Sequence, residues 1–309
     1  ICKPVANAFG EQGLANSPAL INKSLIASIN KNLLASTMIL IDGNKLSKKI
    51  LVNIKEEIEK KQLKLKLVVV LVGDNSVSSS YIKKKKEASE EVGVEFLQFN
   101  FPENINEEEL KKEIIKLAED KTVSGIVIQL PLPQNLNTQE ILNLIPEEKD
   151  ADVLSEKSFE KFSRGELPIF PPVAGAVKKL LEEYKIDIKD KKIVLAGKGR
   201  LVGKPLFVWL SSIGAEFSVA EKSSEDISKL TKSADIIISG TGVSGLIKED
   251  MVKNGVILID VGSSSEEGEV RGDIEKKAYE KASFAAPVPG GVGPVTVACL
   301  LENLVKINL

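Results

Sequence analysis

The sequence predicts an α/β fold of two domains, each a mainly parallel sheet with flanking helices. Three observations carry this. Short continuous apolar runs, such as Leu67-Val68-Val69-Val70-Leu71-Val72 and Ile193-Val194-Leu195-Ala196, end at a glycine, as strands buried on both faces do. Segments of helical period separate such runs, which is the order of βαβ units. A stretch of weak periodicity from Asp150 to Pro172, with a Phe-Pro-Pro turn, divides the series in two. At 309 residues the chain has room for two domains of ordinary size.

The first 37 residues stand apart from this pattern. They hold one acid, Glu11, no arginine, and much Asn, Ser and Ala. A transit peptide is Arg-rich, so the stretch is expected to be a poorly ordered upstream extension, with a targeting sequence as the lesser alternative. The globular pattern begins at Met38-Ile39-Leu40-Ile41-Asp42-Gly43. A helix is expected over about 45–62, then a strand over 67–72, a helix over 78–92 and a strand over 94–99. A helix over 107–119, a strand over 125–130 and a short helix over 138–144 follow. Beyond the boundary, strands are expected at 193–197, 216–220, 235–239 and 256–261, with a helix at 205–212. The last helix starts near Pro294 and is expected to pack back on the first domain. The division is therefore 38–160 plus 294–309 for one domain and 161–293 for the other.

Composition removes several function classes. A net charge of −2 and lysine clusters interleaved with acids leave no nucleic-acid footprint. No window reaches a membrane-spanning length of apolar residues. The only cysteines are Cys2 and Cys299, which gives neither a disulfide framework nor zinc spacing and points to the cytoplasm. Histidine is absent. Catalytic triads with histidine, Cys-His dyads and histidine metal sites are thereby excluded, and no metal is expected. Proton chemistry falls to Lys, Tyr, Asp or Glu, and a cofactor can carry the rest.

Five motifs remain as candidates for chemistry. Ala286-Pro287-Val288-Pro289-Gly290-Gly291-Val292-Gly293-Pro294 is a stiff loop delivered onto a helix N-terminus, where free N–H groups face outward. Gly197-Lys198-Gly199-Arg200-Leu201-Val202-Gly203 follows a strand and opens a helix, the context of a dinucleotide site and a Rossmann-like second domain. Its spacing is one residue longer than the common fingerprint. Glu221 ends the next strand, where an acid accepts from the ribose hydroxyls of NAD. Lys198 and Lys222 flank the same spot and suit the 2′-phosphate of NADP. Tyr81 and Lys85, four apart, share one helix face, with Lys85 expected to stack over Tyr81 while Lys83, Lys84 and Lys86 point elsewhere. Gln129 ends a buried strand before Leu130-Pro131-Leu132-Pro133, and Lys149-Asp150-Ala151-Asp152 closes the first domain.

In this order, and with Ile259-Asp260-Val261-Gly262 and Gly272-Asp273 between them, these motifs closely resemble the bifunctional methylenetetrahydrofolate dehydrogenase/methenyltetrahydrofolate cyclohydrolase family. The resemblance runs from about Met38 to the C-terminus. It implies oxidation of 5,10-methylenetetrahydrofolate with NADP, then hydrolysis of the methenyl product to 10-formyltetrahydrofolate. It implies Lys85 as the catalytic lysine, Gln129 as its hydrogen-bond partner, Tyr81 lining the folate and Asp152 holding the pterin. It further implies Leu130, Pro289, Gly290 and Gly291 at the substrate and Gly197, Lys198, Gly199, Val202, Gly203, Glu221, Lys222 and Gly242 at the cofactor. A homodimer is the family habit; Trp209 and Phe207 suit an interface or a core equally. Departures fall near the cofactor and the domain junction. Val153 stands where the family has Gly, Phe170-Pro171-Pro172-Val173 replaces Pro-Cys-Thr-Pro, and Gly199 stands where Ser is common. Glu221-Lys222 replaces a His-led pair. NAD use, a dehydrogenase without cyclohydrolase activity, and a folate- or nucleotide-binding protein without turnover stay open as alternatives.

Overall fold

The computed structural model describes residues 38–74, 76–221, 227–266 and 269–309. The N-terminal extension and Lys222 lie outside the described residues.

From the N-terminal side the elements are β1 (Ile39–Leu40), α1 (Gly43–Lys61), β2 (Lys66–Val72), α2 (Ser76–Val92), β3 (Glu95–Phe101), α3 (Glu107–Glu119), β4 (Gly125–Ile128) and α4 (Thr138–Leu142). The series continues with α5 (Glu156–Ser163), α6 (Pro172–Glu183), β5 (Ile193–Ala196), α7 (Gly203–Ser212), β6 (Phe217–Ala220), α8 (Ile227–Ser233) and β7 (Ile236–Ser239). It ends with β8 (Val256–Asp260), the hairpin β9 (Ser264–Glu266) and β10 (Glu269–Arg271), β11 (Ala282–Ala286) and α9 (Val292–Lys306).

Two parallel sheets organise the chain. The first has the order β3-β2-β4, and the second the order β1-β11-β8-β7-β5-β6. The apolar runs behave as their composition demands. In β2, Leu67, Val69 and Leu71 enter one core while Val68, Val70 and Val72 enter another, on the opposite face of the sheet. In β7, Ile236 and Ile238 face one core and Ile237 the other. A strand covered on both faces has no polar side to write into its sequence, hence the unbroken runs.

Three features depart from the expected series. The edge strand β1 pairs in parallel with β11, so residues next to Met38 complete the second sheet. Two residues are too short to show a period of two. Helix α5 lies inside the weakly periodic stretch. Its eight residues follow the N-cap Ser155, whose hydroxyl accepts from Ser158 N at 3.2 Å. Helix α6 starts at Pro172, directly after the turn-like Phe170-Pro171; a proline in the first helical turn costs no hydrogen bond. Helix α9 packs on α1 and on α6, which ties its start to elements of both halves.

Candidate active site

The C-terminal ends of both sheets open into one cleft of about 870 Å³. Its walls come from α2, the segment after β4, the glycine turn after β5, the loops after β7 and β8, and the loop before α9. Open parallel sheets place their ligands at this end of the strands.

Tyr81, Lys85, Gln129 and Asp152 all line the cleft. Lys85 Nζ donates to Gln129 Oε1 at 3.0 Å, and Gln129 Nε2 donates to Leu130 O at 3.0 Å. The second bond fixes which end of the amide faces the lysine. Burial pushes the Lys85 ammonium below the usual lysine range, against the opposing pull of Asp152. Burial pushes the Asp152 carboxyl up, opposed by Lys85 and reinforced by Asp150. Lysine and carboxylate are thus both moved toward neutrality.

The turn that carries Asp152 is held from below. Asp150 is buried and accepts from Leu154 N at 3.1 Å, Ser155 N at 2.9 Å and Ser155 Oγ at 2.7 Å. Lys149 donates to Ala118 O and Asp120 O, each at 2.7 Å, at the end of α3. The pair flanking the site residue is therefore scaffold. Val153, buried, has φ +56°. That explains the expectation of glycine there, since a β-branched side chain is strained in the left-handed region.

The loop before α9 forms the opposite wall, with Pro289, Gly290 and Gly291 lining the cleft beside Leu130. A Cβ on Gly43 would lie 1.7 Å from Gly291 O, so α1 and this loop touch backbone to backbone. Gly43 N donates to Gly290 O at 2.9 Å. No side chain caps the start of α9, whose first residues Val292 and Gly293 line the cleft.

The glycine turn divides by role. Gly197 has φ +99°, and a Cβ on Gly203 would lie 2.2 Å from Gly197 O; these two shape the turn without lining the cleft. Gly199, Val202 and Gly242 do line it, and open space surrounds the Cβ positions of Gly199 and Gly242. No side-chain hydrogen bond caps α7. An open turn leading into a ten-residue helix, with no side chain closing its start, fits a dinucleotide pyrophosphate. Lys198 and Glu221 stand outside the cleft lining as an exposed ion pair, Nζ to Oε1 2.6 Å.

The lysine run is corrected by the structure. Lys84, not Lys85, lies over the Tyr81 ring, with Nζ 5.7 Å from the ring centroid, and Lys84 lines the cleft. Lys85 is drawn away by Gln129. Trp209 is a core residue, whereas Phe207 is exposed and meets Phe217 edge-on at 5.3 Å.

Sequence reasoning assigned no role to Asp260 and Asp273. Both are buried, and they tie the loops after β7 and β8 together. Asp260 accepts from Gly262 N, Asp273 N, Ile274 N and Tyr279 Oη, each at 3.0 Å. Asp273 accepts from Ser239 Oγ at 2.8 Å, Thr241 N at 2.6 Å and Thr241 Oγ1 at 2.9 Å. Burial lifts the Asp260 carboxyl to about 6. For Asp260, an acid at the end of an apolar strand two residues before a glycine was the available signal.

Two family models match the chain: the catalytic domain of tetrahydrofolate dehydrogenase/cyclohydrolase over residues 41–152, and its NAD(P)-binding domain over residues 171–309. The chain belongs to this family. The bifunctional protein FolD of Hydrogenobaculum sp. (strain Y04AAS1) is 43% identical over 272 residues, 87% of this chain and 98% of the relative. The crystal structure of the bifunctional FolD dehydrogenase/cyclohydrolase from Campylobacter jejuni is 40% identical, covering 88% of this chain and 98% of that one, with a TM-score of 0.82. The Trypanosoma brucei FolD, solved with NADP and an inhibitor, is 31% identical over 87% of this chain and 97% of its own, with a TM-score of 0.83. Among the described residues no helix is long and apolar enough to cross a membrane.

Proposed function

We propose that the chain oxidises 5,10-methylenetetrahydrofolate with NADP and hydrolyses the 5,10-methenyl product to 10-formyltetrahydrofolate in the same cleft. The observation that carries this is the Lys85–Gln129 contact of 3.0 Å inside a cleft bordered by a glycine turn fit for a dinucleotide. NADP, when bound, accepts the hydride. Tyr81 and the wall from Pro289 to Gly291 border the folate, and the Asp152 carboxylate accepts from the pterin amine and ring N–H, which are donors.

Hydrolysis needs a base at neutral pH, and histidine is absent. Lys85 fills that role because burial favours its neutral amine. The amine takes one proton from water as its oxygen bonds to the methenyl carbon. The hydroxyl proton of the resulting adduct passes to N5 as the carbon–N5 bond opens, and the first proton leaves to solvent. Gln129 holds the amine in place and keeps its acceptor on Nζ. Lys198 pairs with Glu221 at the expected adenosine end, which puts a lysine there to meet a 2′-phosphate.

We further propose a cytoplasmic homodimer. Two cysteines in 309 residues, with Cys299 free and buried, support a reducing compartment. Exposed Phe207 and Ile213 on and just after α7 support an interface there. The test of function is absorbance: NADPH appearance with 5,10-methylenetetrahydrofolate, then decay of the methenyl chromophore. Absence of either signal with purified protein overturns the corresponding half of the proposal.

A further inference from the structure

The turn between β5 and α7 carries glycine at 197, 199 and 203, the residue type that loses most freedom when a ligand orders it. Its side chains anchor it in two directions. Lys198 pairs with Glu221, just past β6 in the same half of the chain. Arg200 instead reaches the other half. Its Nη1 donates to Gln139 Oε1 of α4 at 2.6 Å. Arg200 lines the cleft, whereas Gln139 stands behind the lining, half-buried.

The Gln139 amide is itself held. Its Nε2 donates to Asn143 Oδ1 at 2.8 Å, which turns its oxygen to the guanidinium. Asn143 is bound in turn to the first residue of α5. Its Oδ1 accepts from Glu156 N and its Nδ2 donates to Glu156 Oε2, each at 2.9 Å. The preceding residue, Ser155, donates its N–H and its hydroxyl to Asp150, in the turn that carries Asp152. A continuous run of hydrogen bonds thus joins the dinucleotide turn to the carboxylate proposed for the pterin.

We infer that Arg200 is a positioning residue: its bond to Gln139 holds the dinucleotide turn and the Asp152 turn at the separation that both ligands require. The inference rests on the proposed function and adds a residue to its site. A cleft with loose walls binds each ligand only in the fraction of molecules that has the right separation, and its apparent affinity falls by that fraction. With the bond in place, that fraction is high before either ligand arrives. With it cut, the first ligand must draw the walls together, and the second finds them set. Gln139 therefore acts on the cofactor only through Arg200, and Arg200 acts on the folate only through Gln139. No covalent bond changes.

Calorimetry measures the affinity of NADP and of tetrahydrofolate, each alone and each with the other at saturation. The proteins are the wild type, Arg200→Ala, Gln139→Ala and the double variant. Tetrahydrofolate carries no one-carbon bridge, so binding is read without turnover. Gln139→Ala should weaken each ligand alone by about tenfold, the scale of one charge-assisted hydrogen bond. Most of that loss should vanish when the partner ligand is bound. Arg200→Ala should weaken tetrahydrofolate to the same degree, and the double variant should add nothing further. A role in folding stability alone would lower the melting temperature without this recovery. Tetrahydrofolate affinity unchanged in both single variants overturns the inference. So does a loss in Arg200→Ala confined to NADP, which makes Arg200 a plain cofactor ligand, and so does a loss that persists in full at saturation. Wild-type protein that binds both ligands but turns over no 5,10-methylenetetrahydrofolate overturns the functional reading alone.

Discussion

Replacing Gln129 by glutamate puts a carboxylate where Lys85 now meets a neutral amide oxygen at 3.0 Å. At that distance a full charge acts on the ammonium with about 1.4 kcal/mol at the dielectric of water and about 5.5 kcal/mol at an effective dielectric of about 20. At 1.36 kcal/mol per pH unit, the titration of Lys85 moves up by about one to about four units. Repulsion between the new carboxylate and Asp152 trims the larger figure. The sign follows from the role of the amine. Hydrolysis needs it neutral, so a raised lysine depletes the active form below its new titration point. Gln129→Glu should slow methenyl hydrolysis at neutral pH by at least about tenfold, with activity recovering as pH rises. Its acid limb should lie at least about one pH unit above that of the wild type. Gln129→Met removes the acceptor that favours the ammonium, and its limb should shift to lower pH. The assay is the decay of the methenyl chromophore across pH, corrected for spontaneous hydrolysis. Acid limbs that coincide in all three proteins, or shift in the opposite order, would refute Lys85 as the base.

The adenosine end and the carboxylate clamp give two further tests. Glu221→Ser should raise kcat/KM for NADP relative to NAD and Lys198→Ala should lower it, because the two side chains form one ion pair; an unchanged ratio in both places the pair away from the ribose. Asp260→Asn cannot accept on its new NH₂ group, leaving donors such as Ile274 N and Tyr279 Oη short of a partner. It should cost at least about 2 kcal/mol, read from the urea midpoint. Its titration has a defined sign as well. The folded carboxyl titrates at about 6, above an unfolded aspartate near 3.9, so this group's stability contribution falls as pH rises between those values. Asp260→Asn should lose that slope.

Legibility in the sequence tracked the number of residues over which a pattern could repeat. The strand β2 and the helix α3 were readable because six or more residues shared one period or one burial state. The edge strand β1 and the hairpin β9–β10 were not, since two or three residues contain no period, and the partner of β1 lies far along the chain. Helix α5 hid behind serines and charges that serve equally in a loop. At the site, the Tyr81 and Lys85 spacing placed both on α2, but helical spacing alone could not tell which lysine lies over the ring. That was decided by Gln129, forty-four residues away, which draws Lys85 aside and leaves the ring to Lys84. Asp260 and Asp273 were visible as residues and invisible as a clamp, because only the parallel order of β7 and β8 brings Ser239 and Thr241 to Asp273.

The central claim is that one half-buried lysine serves water attack in a cleft that also performs hydride transfer. The most direct test is Lys85→Met, with methenyl hydrolysis followed in single-turnover decay and folding checked by circular dichroism. The account predicts a loss of about 10²–10⁴-fold, the usual cost of removing a general acid or base. The same change at exposed Lys83 should have little effect. Hydrolysis by Lys85→Met at a rate near that of the wild type would contradict it.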